Sequence, residues 1–359
     1  MEKIFVYIGT YTSEGGEGIY IYRFDPETGK LEKTGKTTGL MNPSFLTIDS
    51  RQRYLYAVNE VSSFAGKRVG GVSSFLINEK NGELTFLNSK PSGGTGPCYV
   101  TLDKMDRYLL VANYGSGSVC VLPINDDGSL GNPTDLIQHE GSSINPKRQE
   151  GPHAHSVVVG PSNRYVYVPD LGLDKIMIYR FDSNQGKLTP NKIPYVSTKP
   201  GAGPRHFIFH PNNRLAYLIN ELDSTIVAYA YNEHDGSLKE IQTISTLPKN
   251  FTGVNIAADI HVTPSGKFLY GSNRGHDSLV IYQINEETGM LNYVGHEHTR
   301  GSFPRNFAID PFGKFLLVAN RKGNNIVSFR INAETGLLKP TGHEIPIASP
   351  ACIKFAVLT

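Results

Sequence analysis

One short turn recurs along this chain and restricts its fold more than any other feature. It reads Asp or Asn, a few polar residues, Gly, one further residue and Leu. The copies are DPETGKL at residues 25–31, NEKNGEL at 78–84, NDDGSL at 125–130, DSNQGKL at 182–188, NEHDGSL at 232–238, NEETGML at 285–291 and NAETGLL at 332–338. A spacing of roughly 50 residues is the period of a propeller blade. The glycine admits a positive φ, and the Asp or Asn caps its own turn. This is the chemistry of a tight connection between antiparallel strands.

A second marker runs between these turns: a Pro-led strand, a short turn and a strand ending in a polar pair. GPHAHSVVVGPSNRYVYVPD is its clearest copy, with strands HSVVV, YVYVPD and then IMIYRF; GPCYVTLDKMDRYLLVANY and GPRHFIFHPNNRLAYLINE are others. Val, Ile and Tyr fill the strands, while Gly, Pro, Asn, Asp and Ser fill the gaps. No stretch carries the 3.6-residue apolar period of a helix. Six full copies are present, and the remaining one is split between the chain ends. IFVYIGTY near the N-terminus is a second strand without a first, and SPACIKFAV near the C-terminus is a first strand without a second. The expected fold is therefore all-β: one seven-bladed β-propeller domain over residues 1–359, built of four-stranded antiparallel blades. Blade one is closed by the N- and C-terminal strands, which removes the sheet edges that invite aggregation. The WD40 subtype is excluded, because the chain has no Trp.

The bulk numbers narrow the partners. The formal net charge of +2 gives no strong field for nucleic acid or a membrane surface. No apolar run is long enough to span a bilayer, and MEKIFVYIGTYT lacks the pattern of a secretory signal. Cys98, Cys120 and Cys352 are odd in number and widely spaced, which fits buried hydrophobes in a reducing cytoplasm better than disulfides or a zinc knuckle. Residues 62–71 and 136–150 are the longest irregular segments, and long loops in compact folds are often functional.

In a propeller blade the first strand lines the central channel, so first-strand starts and second-strand ends share one face. The first-strand starts carry His153, His155, Arg205, His206, Asp259, Arg305 and Asn306. The second-strand ends carry Glu60, Asn113, Tyr114, Asp170, Glu221, Arg274 and Arg321. Polar groups from separate blades are thus expected at one channel mouth, where loops on a rigid scaffold gather function. Arginine forks suit carboxylate or phosphate, so a small anionic ligand is expected. His153 and His155, at i and i+2, share a face if both lie in the strand; catalysis or substrate contact, hydrogen-bonded packing and metal ligation are the readings open to them. His261 is expected to be structural. The Gly-rich SEGGEG (13–18) and SGGTG (92–96) are read as loops, since neither leads into a helix that could hold phosphate. No Gly-x-Ser-x-Gly elbow is present, so a covalent serine route has no support.

Together, IGTYT (8–12), GPHAHS (151–156), PDLGLDKI (169–176), GPRHF (203–207) and SNRGHDS (272–278) resemble the seven-bladed propeller lactonases. These are the bacterial 6-phosphogluconolactonase group, similar also to the carboxy-muconate lactonizing enzymes. The likeness covers essentially the whole chain. It implies hydrolysis of 6-phosphoglucono-δ-lactone to 6-phosphogluconate, a step of the pentose phosphate pathway. By resemblance, His155, Arg205, Glu221 and Arg274 are the catalytic candidates; His153, His206, Arg305, Asn306 and Arg321, from the polar groups at the channel mouth, are expected as substrate contacts. A neutral imidazole, His155, would take a proton from water, Glu221 would orient it or act as the base, and Arg205 and Arg274 would hold the oxyanion or phosphate. No cofactor and no metal are expected. The rival readings are a muconate-type cycloisomerase and a non-enzymatic propeller that binds a protein.

Overall fold

The computed structural model describes residues 3–358; Met1, Glu2 and Thr359, the ends of the expected domain, lie outside the described residues. Those residues form seven four-stranded antiparallel sheets. Sheet I joins the strands Lys3–Thr10, Ile19–Phe24 and Leu31–Thr37 to Pro350–Leu358. Sheets II to VII follow in chain order over residues 46–91, 97–138, 158–197, 204–245, 256–298 and 304–346. The split repeat is therefore joined as expected: Lys3 to Thr10 pairs antiparallel with Leu358 to Pro350 along one whole edge.

All seven turns adopt the conformation their residues predict. Their glycines have φ between +64° and +81°. In six of them the leading Asp or Asn caps the turn from its side chain, as in Asp25 Oδ1 accepting from Glu27 N and Asn232 Oδ1 from His234 N. The shorter NDDGSL turn instead closes with Gly128 N donating to Asn125 O.

These turns also join neighbouring sheets. Tyr56, Tyr167, Tyr217 and Tyr270 are fully buried in the second strands of their sheets. Their hydroxyls donate to the carbonyls of Gly128, Gly236, Gly289 and Gly336. A Cβ on Gly289 would stand 2.6 Å from the Leu215 side chain and one on Gly336 2.4 Å from Phe268, so no larger residue fits beneath the neighbouring sheet. Burial pushes the pKa of all four hydroxyls except Tyr167's well above the ordinary tyrosine value.

Within the described residues the chain divides into two compact units. The terminal unit takes the chain up to Gly39, Ile208–Tyr231 and Lys239 onward; the middle unit takes Leu40–Phe207 and Asn232–Leu238. In the terminal unit the cores lie between sheets, as where Ile4, Val6, Ile8 and Ile353 of sheet I meet Phe315, Leu317 and Ile326 of sheet VII. In the middle unit, Leu110, Val119 and Val121 of sheet III pack on Val159, Val166 and Val168 of sheet IV. The alternation of side chains along each strand feeds both faces of a sheet into such cores.

One expectation needs correction. The HSVVV strand of sheet IV is only Val158–Val159; upstream of it Ala154 makes a single bridge to Asp170. Opposite this stretch the second strand contains Pro169, which has no N–H to give to the ladder. Two backbone bonds hold the irregular segment instead, His155 N to Pro169 O and Leu171 N to His153 O.

Candidate active site

In the middle unit the starts of first strands bring together imidazoles, one guanidinium and several aromatic rings. Arg205, in the strand Pro204–Phe209, is 1% exposed, and its Nη1 donates to His206 Nε2 at 3.1 Å. Because a guanidinium only donates, His206 accepts at Nε2 and carries its proton on Nδ1. The His155 ring stands edge-on to His206 with centroids 5.6 Å apart. His155 is itself buried, with Cys98 Sγ 3.7 Å from its Nδ1 and 3.3 Å from its carbonyl oxygen. Tyr99, stacked on Phe45 at 4.1 Å, places its ring 5.2 Å from His206. Tyr114 lies flat against His153 at 4.5 Å and edge-on to His155 at 5.1 Å. The two histidines thus reach one tyrosine, as an i, i+2 pair should, although the backbone between them is irregular.

The segment is held from beneath by Asp170, which has no solvent exposure. Its Oδ1 accepts from the backbone nitrogens of His153, Gly172 and Leu173, and its Oδ2 from His139 Nδ1 at 2.6 Å. Ser156 Oγ donates to Arg205 O, tying the His155 segment to the Arg205 strand. Asp170 therefore acts as a support for His153 and His155. Asn113 is likewise committed to structure, donating to Ser92 O and Ser118 Oγ, and Glu60 accepts from Ser44 Oγ.

The terminal unit holds the other candidates in two groups. Arg274 Nη2 lies 2.8 Å from Glu221 Oε2, with both side chains 4% exposed, and it also donates to Ala257 O. Phe303 faces the same guanidinium at 5.1 Å. In the second group, Asp259 Oδ2 accepts from Asn306 Nδ2 at 2.5 Å and from Phe307 N, with His261 Nε2 at 3.0 Å. Asn306 Oδ1 accepts from Ile353 N, so that amide links sheet VII to the C-terminal strand. His261 has the structural setting expected of it, edge-on to Phe307. Arg305 and Arg321 both stand over the Tyr11 ring, at 5.4 and 4.2 Å. Arg321 also pairs with Glu14, and this hydrogen-bonded guanidinium holds the Glu14 carboxyl below its ordinary pKa.

Sequence reasoning missed Phe45, Tyr99 and the role of Cys98. Phe45 and Tyr99 stand two residues after the opening proline of their first strands, the place where His206 stands in GPRHF. That repeat position was the signal that could have found them. All three cysteines are buried thiols outside any disulfide, and burial pushes Cys120 up to about 12. Among the described residues no three His, Cys, Asp or Glu side chains are grouped so as to hold a metal ion. A cleft of about 530 Å³ bounded by Lys267, Gln283, Asn285, Glu286, Asn292 and Glu334 lies instead at the Asn/Gly turns and has no imidazole or guanidinium in its wall.

Seven repeated four-stranded sheets, with imidazoles and a buried guanidinium at first-strand starts, define a propeller scaffold that carries a polar site. The family model described as lactonase, 7-bladed β-propeller, matches residues 5–355. This chain belongs to that family, whose fold is the one its repeats predict. The 6-phosphogluconolactonase of Bacillus subtilis (strain 168) is 38% identical over 310 residues, covering 86% of this chain and 86% of that protein. The 6-phosphogluconolactonase of Formosa agariphila is 37% identical over 310 residues, 85% of this chain and 86% of that protein. The solved structure of the Pseudomonas aeruginosa periplasmic gluconolactonase superposes with a TM-score of 0.94 at 35% identity, covering 99% of this chain and 100% of that one.

Proposed function

We propose that this chain is a lactonase that hydrolyses a sugar lactone, namely 6-phosphoglucono-δ-lactone to 6-phosphogluconate. The reading is supported by membership of the lactonase family and by relatives of that name at 37–38% identity. The single observation that carries the chemistry is the buried Arg205, bonded to a neutral His206 beside the His155 ring.

In this reading water adds to the lactone carbonyl carbon and gives its proton to His155. The carbonyl oxygen becomes an oxyanion, which Arg205 and the Nδ1–H of His206 stabilise. The intermediate collapses, the ring C–O bond breaks, and the leaving oxygen takes the proton back from the imidazolium. The products are a carboxylic acid and a free hydroxyl; the acid then gives its proton to solvent, which leaves the carboxylate and supplies the acid that an assay follows. The low polarity around Tyr99, Phe45 and Tyr114 strengthens the charge interactions there. His153 is proposed as a substrate contact. Glu221 and Arg274 enter on the strength of the family's residue types, as water-orienting and anion-holding groups, with Arg305, Asn306 and Arg321 as further contacts. Buried cysteines outside any disulfide fit a reducing compartment, and the cytoplasm is the compartment proposed. Among the described residues no helix is long and apolar enough to cross a membrane.

The deciding experiment follows acid release from 6-phosphoglucono-δ-lactone with wild-type protein and His155→Ala, beside a carboxylated muconate as a control substrate. Lactone turnover far above the spontaneous rate, lost in the variant, is expected. Turnover of the muconate alone would move the chain to the cycloisomerase reading, and turnover of neither would leave a binding protein.

A further inference from the structure

The irregular stretch 139–150 has so far no function, yet it is built with care. His139, 3% exposed, is fastened to Asp170 at one end. Gln149, with no exposure, is fastened at the other: its Nε2 donates to Leu171 O, and its Oε1 accepts from Asn145 N. Between them Ser143 Oγ donates to Asp174 Oδ2 at 2.6 Å. All three anchors fall on residues 170–174, the last residue of the second strand of sheet IV and the turn that follows it. A surface loop tied at three points to one buried turn is held in a fixed shape.

That fixed loop presents Lys147 and Arg148. Asn145 Oδ1 caps Lys147 N, and Lys147 is exposed. Arg148 is half-buried, and its Nη2 reaches Tyr114 Oη at 3.4 Å. The ring of that tyrosine lies against both His153 and His155. One phenol ring therefore separates the Arg148 guanidinium from the proposed base. Glu150 on the same loop points its carboxylate to His153 Nε2 at 3.3 Å.

We propose that Arg148 binds the phosphate monoester of the substrate, so that the 139–150 loop selects phosphorylated over unphosphorylated sugar lactones. The proposal rests on the reading of the chain as a lactonase. A phosphate monoester carries about −1.5 to −2 charge at neutral pH and is costly to strip of water. Arg205 sits at 1% exposure and donates to His206, a setting suited to a small oxyanion. Arg148 stands at the solvent margin with Lys147 next to it, where a dianion keeps part of its hydration and gains a planar fork.

The test compares wild-type protein, Arg148→Gln and Arg148→Lys on 6-phosphoglucono-δ-lactone and on glucono-δ-lactone. For Arg148→Gln, KM for the phosphorylated lactone is expected to rise about 10- to 100-fold, as for loss of a hydrogen bond to a charged group. The loss on the unphosphorylated lactone should be at least tenfold smaller, with Arg148→Lys in between. Equal losses on both lactones, or none on either, overturn the proposal. Should wild-type protein hydrolyse neither lactone, the lactonase reading itself falls. The subsite is then judged by calorimetry with inorganic phosphate, where equal affinity in wild type and Arg148→Gln overturns it. Arg148→Lys, whose charge and length are kept, serves the same comparison if Arg148→Gln does not fold.

Discussion

Two kinds of arginine occupy this molecule, and their surroundings separate them. Arg274 is locked to Glu221 in a buried pair, so removing either partner leaves a charge uncompensated and costs stability as well as any activity. Arg205 is 1% exposed and donates to the His206 imidazole. His155→Ala should lower kcat by about 100- to 10,000-fold, the range of general-base catalysis, with the circular-dichroism spectrum unchanged. A variant that keeps wild-type kcat would remove His155 from the reaction. The identities of these residues were readable in the sequence, because His and Arg are conspicuous in a strand start. Their partners were not. That His206 is neutral follows from its contact with Arg205, and that Tyr114 spans both His153 and His155 follows from how sheets III and IV meet.

At the level of elements, the turn and the second strand of the preceding sheet act as a joint. Tyr217→Phe removes the donor to Gly289 O, a buried carbonyl, and should cost about 1–3 kcal/mol. Urea titration reads this as a lower midpoint with an unchanged slope; an unchanged midpoint would show that the hydroxyl contributes nothing. A second element is set by titration. The rings of His276, in the connection between two strands of sheet VI, and of His296 and His298, in its last strand, lie within 5.1–5.4 Å, and Phe251 stands against His276. Burial first, then the neighbouring imidazoles, lowers the pKa of His276, with Asp277 opposing; burial likewise lowers that of His296. The folded state then binds fewer protons than the unfolded chain between the depressed values and the ordinary value of about 6.5. Stability is fully present above that ordinary value and is lost as pH falls through it towards the depressed values. The melting temperature should fall between about pH 7 and pH 5, and His276→Asn should flatten the fall; an equal slope in the variant would discount the cluster. The turn copies were legible because an Asn or Asp and a Gly at fixed places have few alternative conformations. The tyrosine joints were not, since each links residues 66–72 positions apart that meet only when sheets pack. The HSVVV strand was overestimated because its composition favours a strand while Pro169, on the partner strand, interrupts the ladder.

For the whole molecule the joined chain ends matter most. Pro350–Leu358 covers an entire edge of Lys3–Thr10 and buries Ala351, Cys352, Ile353, Ala356 and Leu358. Deleting residues 348–359 should strip that edge and leave the protein insoluble or melting far lower; a truncated chain with an unaltered melting temperature would refute this role. The sequence by itself determined the number of sheets, the order of strands within them and the pairing of the two termini. All three follow from local turn chemistry and from counting repeats, one of them incomplete at each end. Only the tertiary structure decided which polar groups meet: Arg205 with His206, Arg274 with Glu221, Asp170 with His139, and Arg148 with Tyr114. Hydrogen bonds of this kind reach only about 3 Å, and nothing in the order of residues along a chain encodes a distance across it.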